Sequence, residues 1–177
     1  GAVLCDVAER FRDLGEGGAT GWRLLDDHVH PSLEGQAEVA RCVVGCMAGL
    51  PGPLAVSETV SAGLPSNADY KARLGSNPWD DFRVSHTIRT LLGVPFMKRN
   101  NETAFDRVQA RCREFESAQP AEVRQVMDEW KTAVPHAGGM RPLTGMVARV
   151  MLRQKRTADA LPLYAIAQRQ VPDHTSW

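Results

Sequence analysis

No apolar run in this chain approaches the roughly 20 residues needed to cross a bilayer, so no membrane-spanning helix is expected. An excess of charge is also missing: Lys and Arg number 21, as do Asp and Glu. A balanced chain raises no overall field to draw in nucleic acid or an anionic membrane, and neither is expected as a partner. The N-terminus lacks the basic start and apolar middle of a secretory leader. Both ends nevertheless read as cut, with apolar Ala2-Val3-Leu4 directly after Gly1 and a helical pattern running almost to Trp177. A targeting segment could lie beyond either end, and localisation stays open. Cysteines are few. Cys42 and Cys46 stand four apart on one predicted helix, Cys5 and Cys112 stand alone, and no second Cys or His pair completes a set at zinc spacing. Buried or unpaired thiols are the expectation, which tilts toward a reducing compartment.

What the chain has is enough apolar residue for a packed core, 43% of 177, in one ordinary domain or two small ones. Gly1 to Val7 reads as a short buried strand and Ala8 to Leu14 as a helical turn or two. A Gly-rich loop follows. From Leu33 to Leu50 the residues Leu33, Ala37, Ala40, Val44 and Met47 recur at three- and four-residue steps, as on one helix face. Ser32 suits its N-cap and Glu34 its first turn. Pro51-Gly52-Pro53 stops that helix, and residues 51–78, rich in Ser, Gly, Pro and Asn, read as a connector. Beyond it helices are predicted over Pro78–Leu92, Asn101–Ser117, Pro120–Val134, Pro142–Gln154 and Thr157–Gln170. Pro120 and Pro142 fit first-turn positions. No strand is needed after Val7.

Chemistry concentrates in Asp26-Asp27-His28-Val29-His30-Pro31-Ser32-Leu33-Glu34-Gly35. A serine hydrolase needs an imidazole with one nitrogen toward the nucleophile and a carboxylate on the other, fixing the tautomer and stabilising imidazolium as it forms. Three residues of separation on a loop let a carboxylate fold back onto a ring. Asp27 and His30 have that spacing, just ahead of a helix.

This block resembles the last conserved block of the SGNH (GDSL-type) ester hydrolases: Asp-x-x-His-Pro, then Ser, Asn or Thr, two residues, Gly, and an apolar helix. Asp27, His30, Pro31, Ser32 and Gly35 stand at those positions, followed by Val39-Ala40, and Val3-Leu4-Cys5-Asp6-Val7 looks like the family's last strand. The resemblance covers about residues 1–50. It implies His30 as general base, Asp27 as its orienting partner, and hydrolysis of an ester or acyl group through a serine acyl-enzyme, without metal or organic cofactor. The family's Gly-Asp-Ser nucleophile block and oxyanion-hole blocks would precede Gly1. Ser57, Ser61, Ser66, Ser76 and Ser85 have no such context, so the chain alone is expected to be inactive. Two other readings stay open. Asp26-x-His28-x-His30 fits the first metal-ligand motif of amidohydrolases, where two histidines at a strand end hold a zinc-type ion, although the remaining histidines His86, His136 and His174 offer no matching context. The bland alternative is an acidic surface turn before a helix.

The last two predicted helices resemble one degenerate tetratricopeptide repeat. Ala160, Tyr164, Ala167 and Pro172 fall at the offsets of its second helix and Ala148 where the first wants a small residue, while Thr144 and Met151 replace the expected Trp and Tyr. A generic helical hairpin is the alternative. The resemblance implies a protein- or peptide-binding groove. His86 reads as helix surface or core, His136 as loop, and the basic run Arg149 to Arg156 as a solvated face near a helix C-terminus. The expected architecture is therefore mostly α. Residues 1–50 form the C-terminal remnant of an α/β/α, flavodoxin-like SGNH domain, 51–78 a connector, and 79–177 an α-helical, tetratricopeptide-like domain with its hairpin at 142–173.

Overall fold

The computed structural model describes residues 4–27, 29–133 and 141–171. Among them the chain is helical, with ten α-helices and no strand. It divides into two compact units, Gly1–Ser76 and Asn77–Trp177.

In the first unit α1 spans Val7–Leu14, α2 Leu33–Ala48, α3 Glu58–Ala62 and α4 Asn67–Leu74. The strand expected at the N-terminus is corrected: Leu4 to Asp6 carry no regular structure and Val7 already begins α1, while residues 1–3 lie outside the described set. A strand persists only where another pairs with it, and the described residues hold just an isolated bridge, Leu25 with Pro31. Asp6 instead caps α1, its carboxylate accepting from Glu9 N–H at 2.8 Å. Residues 51–76 carry α3 and α4, each opened by a serine cap, Ser57 and Ser66.

These helices are held together by polar and covalent ties more than by a core. Glu38, buried on α2, pairs with Arg10 of α1 at 3.0 Å and with Arg41 at 2.5 Å. Arg41 also donates to Asn67 Oδ1 and the Pro65 carbonyl, both at 2.8 Å, fastening α2 to the start of α4. A buried carboxylate with two guanidinium partners avoids the penalty of an unpaired charge. Cys5 and Cys46 are joined as a disulfide across 41 residues, with Cα atoms 6.0 Å apart. This corrects the expectation of unpaired thiols for that pair; Cys42 and Cys112 remain free. Among the described residues of the unit the buried apolar ones are Phe11, Leu24 and Ala37. On α2, despite its apolar composition, the buried residues are Gly35, Ala37 and Glu38, while Val43 is exposed.

The second unit has the larger core. Its helices are α5 Pro78–Leu92, α6 Pro95–Asn100, α7 Glu102–Ser117, α8 Ala121–Thr132, α9 Leu143–Arg153 and α10 Thr157–Gln170. Asn77 caps α5, accepting from Trp79 and Asp80 N–H, with Pro78 at the first helical position, where it loses no intrahelical bond. Pro120 and Pro142 sit one residue earlier than expected, as N-caps of α8 and α9. Trp79, Phe82, Leu92, Val108, Cys112, Met127, Trp130, Leu143 and Val147 form one buried cluster, with Phe115 stacked on Phe82 at 5.3 Å. The α9–α10 hairpin closes on small residues: Ala148, Ala160 and Ala167 are fully buried, and Tyr164 is half-buried. Pro172 lies outside the described residues.

Candidate functional site

The Asp27–His30 loop is shaped by its own backbone before any side chain is considered. Ser32 N–H donates to the Leu24 carbonyl and Asp26 N–H to the His30 carbonyl, both at 2.9 Å, so the chain doubles back over residues 24–32. Leu24, buried, anchors the fold-back. Ser32 then starts α2: its hydroxyl donates to the Arg23 carbonyl at 2.7 Å and accepts from Gly35 N–H at 3.1 Å. Arg23 reaches across to the Leu14 carbonyl at 2.8 Å and forms an ion pair with Glu34. Gly35 is required by close approach, because a β-carbon there would overlap the Leu24 carbonyl oxygen. Ser32 and Gly35 thus fix where α2 begins relative to the turn.

Inside that frame Asp27 is buried and saturated. Its Oδ1 accepts from Val29 N–H at 2.8 Å and His30 N–H at 2.7 Å, and its Oδ2 lies 2.7 Å from His30 Nδ1. Burial pushes the carboxyl up, but the Val29 N–H, the His30 ring and the His30 N–H outweigh it and hold Asp27 below the ordinary carboxylate range. An ionised carboxylate can only accept, so Nδ1 carries the proton and Nε2 is left as the ring's acceptor. His30 is the opposite of Asp27 in exposure: its side chain is 73% accessible, against 4% for that of Asp27. For a neutral ring the arrangement selects one tautomer, held by a buried charge, on an exposed side chain. That is what a general base needs.

The structure therefore brings Asp27 and His30 together. Among the described residues of the same unit no serine hydroxyl is hydrogen-bonded to His30. Ser32 is committed to its cap, Ser57 and Ser66 cap α3 and α4, and Ser85 is buried on α5 in the other unit. Among the described residues no cluster of three His, Cys, Asp or Glu side chains is placed to hold a metal ion. His28, the middle residue of the Asp-x-His-x-His pattern, lies outside them, as do His136 and His174. Both Asp27 oxygens are already engaged within the turn. His86 belongs to the helical unit, edge-on to Trp130 at 5.4 Å, and burial, then Arg89 and Lys131, push its pKa down. In the basic run, Arg156 pairs with Asp159 at 2.9 Å. The Glu38–Arg10–Arg41 cluster was missed in the sequence: Glu38 and Arg41 do have the three-residue spacing that a helix brings together, but Arg10 lies 28 residues away and its approach depends on the packing of α1 on α2.

Among the described residues no helix is long and apolar enough to cross a membrane. No protein-family profile, curated protein or solved structure matches this chain.

Proposed function

We propose that the Asp27–His30 turn is the base-and-orienter half of the catalytic triad of an SGNH-type serine ester hydrolase, with the nucleophilic serine on a Gly-Asp-Ser block outside these residues. The observation that carries the reading is the 2.7 Å contact of a buried, hydrogen-bonded carboxylate with the Nδ1 of an exposed imidazole. In this mechanism His30 Nε2 takes the proton as serine Oγ attacks the ester carbonyl. It returns that proton to the leaving alcohol as the acyl-enzyme forms, then repeats the cycle with water. Asp27 stays ionised throughout and stabilises the imidazolium. The substrate is an ester or acylated molecule, and the chemistry requires neither metal nor organic cofactor.

The α/β/α, flavodoxin-like assignment of this region belongs to the same proposal. Its support is α2, an apolar helix whose Ala40 and Val43 are exposed in a unit with few buried apolar residues. A sheet packed on that face would bury it, as helices flank the sheet in such folds.

A second reading assigns the chain to a tetratricopeptide-type interaction scaffold with a degenerate hydrolase domain. It is favoured by the α9–α10 hairpin, where Ala148, Ala160 and Ala167 allow close helix approach.

The test is p-nitrophenyl ester hydrolysis by a chain extended to include the Gly-Asp-Ser block. There His30→Ala should lower kcat by about three or more orders of magnitude and His28→Ala far less. The 177-residue chain alone should show no turnover. Turnover by it that His30→Ala abolishes would place a nucleophile within these residues. Equal losses at His28 and His30, rescued by zinc, would assign the turn to metal chemistry.

A further inference from the structure

The neutral total of this chain conceals a division of charge. Residues 1–76 carry six Lys and Arg against ten Asp and Glu, 6 − 10 = −4, and residues 77–177 carry fifteen against eleven, 15 − 11 = +4. On the second unit a groove of about 830 Å³ opens between α5, the ends of α8 and α10, and Arg141. Its cations are Arg83, Lys131 and Arg141, and no carboxylate lines it among the described residues. Arg141 is exposed and has no partner among the described residues, and Arg83 is held only loosely by Asp80, at 3.7 Å. Between the cations the exposed apolar lining is Leu91, 42% exposed, and Val94, 39% exposed, beside Thr87, Thr90 and half-buried His86, whose ring lies edge-on to the buried Trp130.

We infer that this groove docks an extended acidic segment of a partner protein, in which carboxylates alternate with large apolar side chains. The inference rests on the helical unit acting as an interaction module, the second reading above, and is independent of the hydrolase chemistry. Charge complementarity selects the occupant. Carboxylates pair with Arg141 and Arg83 at the rim, and an apolar side chain covers Leu91 and Val94. A nucleic-acid strand fits less well. Lys131 is already shared by Glu116 at 3.1 Å and Asp128 at 2.6 Å, which leaves Arg83 and Arg141 as two separate cations flanking an apolar wall, too few for a continuous phosphate chain but matched to spaced carboxylates with apolar residues between them.

The experiment is fluorescence anisotropy of the whole chain with labelled peptides of about ten residues, at moderate salt. The probes alternate Glu with Leu, Gln with Leu, or Lys with Leu, beside a single-stranded RNA of similar length. The Glu/Leu peptide should bind about tenfold or more tighter than the Gln/Leu peptide, a difference of about 1.4 kcal/mol. Arg83→Glu with Arg141→Glu should remove about tenfold of that affinity. Arg113→Glu, exposed on α7 and outside the groove, should change it less than about twofold. Circular dichroism identifies any variant that fails to fold, and Arg141→Gln then replaces it. Equal binding of the Gln/Leu peptide overturns the acidic specificity while leaving the module. Binding of no peptide overturns both. Tighter binding of RNA or of the Lys/Leu peptide, or an equal loss from Arg113→Glu, also overturns the proposal.

Discussion

Asp27 combines two roles that are separable by mutation. Two of its three hydrogen bonds come from backbone N–H groups and hold the turn; the third orients His30. Asp27→Ala would leave the Val29 and His30 N–H groups unpaired in a partly buried place, at a cost of about 2 kcal/mol, measurable as a shifted urea midpoint with unchanged slope. Asp27→Asn keeps an acceptor for the backbone and should cost less stability while losing its hold on the imidazole. Acidity acts on the same residue. Because Asp27 is lowered relative to its unfolded value of 3.8, its contribution to stability is present above about pH 4 and is lost as pH falls through the folded value. Wild type should therefore lose more stability than Asp27→Asn between pH 4 and pH 2. Equal losses would show that the carboxylate is not held by the turn.

At the scale of elements, the second unit was the more legible. The helices predicted over Pro78–Leu92 and Thr157–Gln170 are α5 and α10, both with the observed ends. The shorter helices were not legible. α6, six residues after Val94, is too brief for periodicity to register, and α3 and α4 lie in a stretch whose Ser, Gly and Pro content reads as loop although Ser57 and Ser66 are caps. The N-terminal strand failed because pairing is a property of two segments and a sequence window shows one. The three-residue spacing of Asp27 and His30 made their contact readable, since it needs only a local turn; the Cys5–Cys46 bond, 41 residues apart, had no such local signal. Two elements carry tight steric demands. Gly35→Ala would push a methyl into the Leu24 carbonyl and should cost about 1–3 kcal/mol. Ala160→Leu would pry α10 from α9 at a similar cost, read as a lowered Tm. A neutral result at Ala160 would mean the hairpin is looser than its buried alanines require.

For the molecule as a whole, the two units are stabilised by different means. The second is held by a contiguous apolar and aromatic cluster, the first by Glu38 with its two arginines and by the disulfide. A cross-link closing about 40 residues restricts the unfolded chain by up to about 4 kcal/mol in the chain-entropy account. Cys5→Ser with Cys46→Ser should accordingly raise amide exchange in α1 and α2; unchanged exchange there would show that the salt bridges suffice alone. Composition summed over the whole chain concealed the opposite charges of the units, which is why a neutral total gave no hint of the basic groove. The feature on which the proposed chemistry turns is the tautomeric state of one ring, His30. Long-range ¹⁵N–¹H NMR of the histidine imidazoles, at a pH where the spectra are those of the neutral rings, measures it directly. His30 should appear as the tautomer protonated at Nδ1 with a bare Nε2, and Asp27→Asn should abolish that preference; a His30 ring protonated at Nε2 in the wild-type chain would contradict the account.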